Sequence, residues 1–222
     1  MTFGAPFGRI FAPPFSPRTA APASGGWWLA GGIAPANCVA AYQAKGAASY
    51  ATSLVNLANP GTYNATEGDA PDWDAVSGWK FNGSSNYLDS GVVPAAGWSM
   101  IVRFSNVPAA QKSVCGCTGT PRFYLRPYHL STQRVYGYGS SALLVTTTIS
   151  TSGVMALVGG DSGFYDGVNE GSVNFSFTTT TSHVFIGKGY DQFFGGYVQA
   201  FALYDTNISS YISALTTAMN AL

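Results

Sequence analysis

Charge is what this 222-residue sequence has least of: only 9% of its residues are Asp, Glu, Lys or Arg, against roughly 25% in an ordinary soluble domain. Ten basic and ten acidic residues cancel to a formal net charge of zero. Phosphate neutralisation needs a basic excess, so nucleic acid is not an expected partner. Histidine is limited to His129 and His183, and glutamate to Glu67 and Glu170. No Gly-x-Ser-x-Gly elbow accompanies the histidines, which leaves nucleophilic hydrolysis without its parts. A glycosidase needs two carboxylates about 5 to 9.5 Å apart across a cleft, and both glutamates fall in expected loops. The expectation is a protein that is not an enzyme.

Cysteine is scarce and odd in number: Cys38, Cys115 and Cys117. That does not suggest a disulfide framework. Free thiols made in a reducing cytoplasm are the simplest reading, with a bridge from Cys38 to either of the other two left open. The Cys115-x-Cys117 pair is two ligands short of a structural zinc site. No apolar run reaches 18 residues, so no membrane partner is expected. The apolar residues of the N-terminus are broken by Pro6, Pro13, Pro14, Pro17 and Pro22. No signal peptide is read there.

What is present is aromatic and turn-forming. Aromatic residues make up 14% of the chain, and glycine contributes 27 residues. Residues 1–33 read as an extended Pro/Phe-rich arm, because its prolines forbid a continuous helix. Phe3, Phe7, Arg9, Phe11, Phe15 and Arg18 are its candidate docking residues. From 34 to 222 the chain reads as one β-domain. Cys38 to Tyr42 is a first strand, 46–57 a short helix or irregular segment, and 64–75 a polar loop. In Gly78 to Phe104, the residues Trp98, Met100, Val102 and Phe104 alternate as in a half-buried strand, with Ile101 the exception. Val154 to Val158 is a continuous apolar run, as in a strand covered on both faces. Asp166-Gly167 signals a tight hairpin. Val173, Phe175 and Phe177 alternate as another strand, and strands at 183–187 and 197–204 complete the set. Ile208, Tyr211, Ile212, Leu215, Met219 and Leu222 fall on one face of a terminal helix of about three turns.

The order of these pieces resembles the concanavalin A-like jelly-roll superfamily, in its laminin G-like branch. The matching residues are Phe81-Asn82-Gly83 to Tyr87, Trp98-Ser99 to Phe104, Phe164-Tyr165-Asp166-Gly167, Ile186-Gly187, and Gly195 to Tyr204. The resemblance implies an all-β, two-sheet antiparallel jelly-roll sandwich with a short C-terminal helix. Calcium is the family's common ligand, and Asp69, Asp72, Asp74 and Asp161 are weak candidates, with turn geometry the competing explanation. No other cofactor is implied, and the Glu-x-Asp-x-x-Glu motif of the glucanase branch is absent. Tyr124, Tyr128, Tyr136, Tyr138 and Tyr190 sit in or beside Gly/Ser-rich segments and are the candidate glycan-binding residues. A Gly/Phe/Pro-rich start on such a domain also resembles bacteriophage virion proteins. That second resemblance implies a capsid decoration or tail component, made in the host cytoplasm and held in the virion by its arm. Its partners would be other virion proteins and further copies of itself. A glycan-binding module for attachment to cell surfaces is the alternative, and a polysaccharide hydrolase stands behind both.

Overall fold

The computed structural model describes Met1, residues 26–172 and residues 176–222. The docking residues expected in the arm, Phe3, Phe7, Arg9, Phe11, Phe15 and Arg18, lie outside the described residues. So do Val173 and Phe175 of one expected strand.

In chain order the strands begin with β1 (Cys38–Gln43), β2 (Thr66–Asp69), β3 (Asp72–Asp74), β4 (Gly78–Asn82), β5 (Tyr87–Asp89) and β6 (Ser99–Ser105). Next come β7 (Cys115–Gly116), β8 (Arg122–His129), β9 (Gln133–Gly139), β10 (Ser141–Thr146), β11 (Gly153–Val158), β12 (Ser162–Tyr165) and β13 (Val168–Ser172). The last are β14 (Phe185–Ile186), β15 (Lys188–Gly189), β16 (Gln192–Phe193) and β17 (Gly195–Tyr204). One helical turn, α1 (Tyr50–Ser53), precedes β2, and α2 (Ile212–Asn220) lies near the C-terminus.

These strands make a two-sheet antiparallel sandwich, as expected. The first sheet runs β13-β12-β11-β6-β17-β4-β3, with β1 also on β17. The second runs β10-β9-β8-β7-β14-β5-β2. β17 organises the first sheet. Gly195 to Val198 pair with β4, and Ala200 to Tyr204 pair with β1. Gln199 is the bulge between the two halves, and its carbonyl accepts the Ala44 and Lys45 N–H groups at 2.9 and 3.1 Å. Gly78 crosses this point at φ +92, where a Cβ would lie 2.5 Å from the Val198 carbonyl oxygen. Only glycine fits there.

The core lies between the sheets. Tyr42, Trp79, Met100, Phe104, Phe123, Leu125, Ile186 and Phe201 are all buried in it. The Trp79 indole N–H is satisfied by Ser53 Oγ at 2.8 Å, and the turn that carries Ser53 is held by a reciprocal Ser49–Thr52 cap. A second apolar cluster covers the back of the first sheet. Ile212, Leu215 and Met219 of α2, with Trp27 and Ile33, pack on Ile101, Val154, Ala156, Val158 and Ala202. This explains why Ile101 breaks its strand's alternation and why β11 is apolar throughout: both faces of these strands are covered. Trp27 and Trp28 belong to this back layer, where Tyr204 donates its hydroxyl to the Trp28 carbonyl at 2.9 Å.

Several boundaries differ from the sequence reading. The polar loop at 64–75 holds β2 and β3, whose side chains are mostly exposed. They form by backbone pairing to β5 and β4, which leaves no apolar pattern to read. Ser176 to Ser182 form no strand. The terminal helix is shorter than expected, with a 3-10 turn at Ser209–Tyr211 before the nine residues of α2. The Asp166-Gly167 hairpin is present, at φ +45 and +83, the left-handed pair that such a loop needs.

Candidate functional site

The two faces of the second sheet differ. Leu88, Cys115, Phe123, Leu125 and Ile186 point inward to the core. Alternation then sends their neighbours outward. Registered across five strands, the outward row reads Asp89, Phe185, Gly116, Tyr124 and Gly137. The glycines make a floor. A Cβ on Gly137 would lie 2.2 Å from the Tyr124 ring, so that ring lies flat across β9.

A hairpin of β15 and β16 crosses this floor. Its two-residue tip is Tyr190-Asp191, at φ +45 and +59. A left-handed backbone is uncommon for a residue as bulky as tyrosine, and strain of this kind concentrates at functional positions. The Tyr190 N–H is tied to the Cys117 carbonyl at 2.8 Å. Its ring stacks on Tyr124, with centroids 5.1 Å apart and planes 26° apart. Arginines flank the pair. The Arg122 guanidinium lies 5.1 Å from the Tyr190 centroid and donates to its hydroxyl at 3.4 Å. The Arg126 guanidinium lies 5.2 Å from the Tyr124 centroid. Arg126 also donates to Nδ1 of His129 at 3.1 Å, which makes that imidazole neutral and an acceptor. Burial, reinforced by Arg126, holds His129 below the ordinary histidine pKa. Burial also lowers the Arg126 pKa and raises that of Tyr124.

The far end of the hairpin builds a second aromatic cluster. Lys188 Nζ lies 4.6, 5.0 and 5.4 Å from the centroids of Tyr87, Phe193 and Phe185. Asp89 and His183 pair beside it at 3.0 Å. A groove of about 570 Å³ opens at this pair. Its walls are mostly hydroxyl-bearing, with Thr118, Thr120, Thr179, Thr180, Thr181 and Ser182 beside His183 and Phe185. The face thus combines half-buried rings, cations and a row of hydroxyl donors and acceptors.

Of the five candidate tyrosines, the structure brings only Tyr124 and Tyr190 together, and Tyr124 is not at the surface as expected but buried on the outward face, with half-buried Tyr190 stacked on it. Tyr136 is fully buried in the core and donates to Glu170 at 2.5 Å. Tyr138 is buried too, stacked on Phe177 at 5.0 Å. For these two the expected surface position is corrected: β9 turns residues 134, 136 and 138 inward. Tyr128 lines a separate groove with Val107, Ile149 and Thr151. The calcium candidates do not converge. Asp74 accepts the Val76 and Ser77 N–H groups, Asp69 accepts from Asn86, Asp161 accepts from Ser162, and Asp72 is exposed on β3. Among the described residues no three His, Cys, Asp or Glu side chains are placed to hold a metal. All three cysteines are free and buried, and burial pushes Cys38 and Cys117 up to about 12.

Sequence reasoning overlooked Arg122, Arg126, Lys188, Phe185 and Phe193. A signal existed for the first two. Residues 122, 124 and 126 alternate along one strand, so Arg, Tyr and Arg share a face. The Lys188 cluster joins strands distant in sequence and had no local signature.

No protein-family model matches the chain, and no curated protein matches it by sequence. Solved structures do share its fold. A Trypanosoma rangeli sialidase is 15% identical at a TM-score of 0.59, over 83% of this chain and 33% of its own. The chain thus spans about a third of that enzyme's length. Domain 4 of AbnA, a GH43 extracellular arabinanase from Geobacillus stearothermophilus solved with arabinotriose, is 15% identical at a TM-score of 0.56. That match covers 81% of this chain and 98% of the domain. The receptor-binding domain of botulinum neurotoxin type G is 8% identical at a TM-score of 0.50, over 80% of this chain and 50% of its own. These likenesses overturn the virion reading. The sialidase and the arabinanase domain are glycoside hydrolase-related and the third is a neurotoxin's receptor-binding domain, none of them a phage virion protein, and the Gly/Phe/Pro style of the first residues carried no fold information that could have told the two apart.

Proposed function

We propose that this chain is a non-enzymatic carbohydrate-binding module of the concanavalin A-like, laminin G-like type, with its site on the outward face of the second sheet. The observation that carries the reading is Tyr190, held in a left-handed backbone at a hairpin tip and stacked on Tyr124. Sugar recognition needs apolar ring faces for the C–H side of a pyranose or furanose and hydrogen-bonding groups for its hydroxyls. The Tyr190 hairpin supplies the first, and the threonine-lined groove with Asp89 and His183 the second. The fold shared with an arabinanase domain solved with arabinotriose supports the same reading.

Catalysis is left out for a physical reason. Glu170 is engaged by Arg134 and by Tyr136, both buried, so no sugar reaches it. Glu67 lies on β2 with its side chain in solvent. A glycan array probed with the full chain tests the proposal. Wild type is expected to bind a defined set of glycans and Tyr190→Ala to lose that set. Binding to no glycan, or undiminished binding by Tyr190→Ala, would overturn it.

A further inference from the structure

Resting on that glycan-binding reading, we propose that the sugar recognised here is acidic, carrying a carboxylate that Arg122 and Arg126 receive beside the Tyr124–Tyr190 stack. In a chain with so few charges, two arginines stand on one strand face, separated by a single tyrosine. Neither forms an ion pair with a carboxylate among the described residues, where the two bridges are Arg134–Glu170 and His183–Asp89. Asp191, the nearest acid along the hairpin, is exposed and bridges to neither.

Arg126 is only 5% exposed. A guanidinium buried to that extent is costly unless its hydrogens are used and its charge is offset. Yet Nε of Arg126 has no hydrogen-bond partner among the described residues, and neither does Nε of Arg122. Contrast Arg134, which is equally buried but held by Glu170. Among the described residues one arginine, Arg134, is neutralised by a carboxylate, and three, Arg103, Arg122 and Arg126, are not; of the three, only Arg122 and Arg126 share a strand face. Both Nε atoms are themselves shut off from solvent, and Arg122 Nη2 and Arg126 Nη1 are taken by Tyr190 and His129. The outer Nη1 of Arg122 and Nη2 of Arg126 have no hydrogen-bond partner among the described residues and are the donors left for a carboxylate. With the Tyr190 ring beneath the sugar, a uronic acid presents the right pair of features: an apolar face and a planar anion at its edge.

Calorimetric titration of the full chain with trigalacturonic acid, its methyl ester and a sulfated galactose trisaccharide tests this. The acid should bind about 10-fold tighter than the ester, the worth of one charge-assisted pair, and the advantage should shrink as salt is added. Arg122→Gln, at a half-buried position, should bring the acid-to-ester ratio close to one. Arg126→Gln should do the same in a sample whose melting transition shows it folded. Equal affinity for acid and ester would overturn the acidic-sugar assignment and leave glycan binding standing. Preference for the sulfated sugar would overturn the carboxylate. Binding of none of the three, with an array also blank, would sink the glycan reading itself.

Discussion

The outer faces of the two sheets are covered in different ways. The middle of the first sheet is covered on both, by the inter-sheet core in front and by α2 with Trp27 behind. The second sheet's outer face is covered only in part: Tyr124, Arg126 and Val135 are buried there, while Arg122 and Phe185 are half-buried. Its outer face carries Tyr124, Phe185, Tyr190, Arg122 and Lys188 above a glycine floor. Composition follows. The back of the first sheet is filled by aliphatic residues such as Ile101, Val154, Val158 and Ala202, while the outer face of the second carries aromatic and charged ones. Residues that do not serve packing are free to serve recognition.

Substitutions that break this contrast should separate stability from binding. The largest loss is expected for Trp79→Ala, which empties the inter-sheet core and strands Ser53: about 3–5 kcal/mol by urea denaturation. Leu215→Ala should cost about 2–4 kcal/mol if α2 is a true layer of the first sheet. A loss below about 0.5 kcal/mol would make that helix a surface appendage. Gly137→Ala forces Tyr124 off its floor. About 1–3 kcal/mol of stability should go with it, together with several-fold weaker glycan binding. Tyr190→Ala reverses the order. Stability should change by less than about 0.5 kcal/mol, while binding falls about 10-fold, near 1.4 kcal/mol.

The smallest effect is on pH. His129 titrates near 6.5 when unfolded, and burial beside Arg126 lowers it in the fold. The unfolded chain then binds more protons between the two values. Stability should rise with pH across that window and be lost as pH falls below about 6.5. His129→Gln should flatten this part of a pH–melting curve, and an unchanged slope would disprove the assignment.

Much of the fold was legible in the sequence because burial on one side of a strand writes a pattern of its own. Trp98, Met100, Val102 and Phe104 alternated, and the one exception, Ile101, pointed to the back layer. β2 and β3 were hidden because Thr66 to Asp74 pair through backbone without burying side chains. The site was half legible. Tyr124 and Tyr190 stood out as aromatics near glycine, but so did Tyr136 and Tyr138, which lie on the inward face of β9. Register decides between them, and register depends on partners far along the chain. The Lys188 cluster, from β5, β14, β15 and β16, exists only once the hairpin crosses the sheet.

Amide hydrogen exchange of the full chain, with and without the strongest ligand from the glycan array, tests the outward-face site most directly. Slowed exchange is predicted at Gly116 to Thr118, Arg122 to Arg126 and Lys188 to Phe193. Slowing confined to α2, or to the groove lined by Val107, Tyr128 and Ile149, would contradict it.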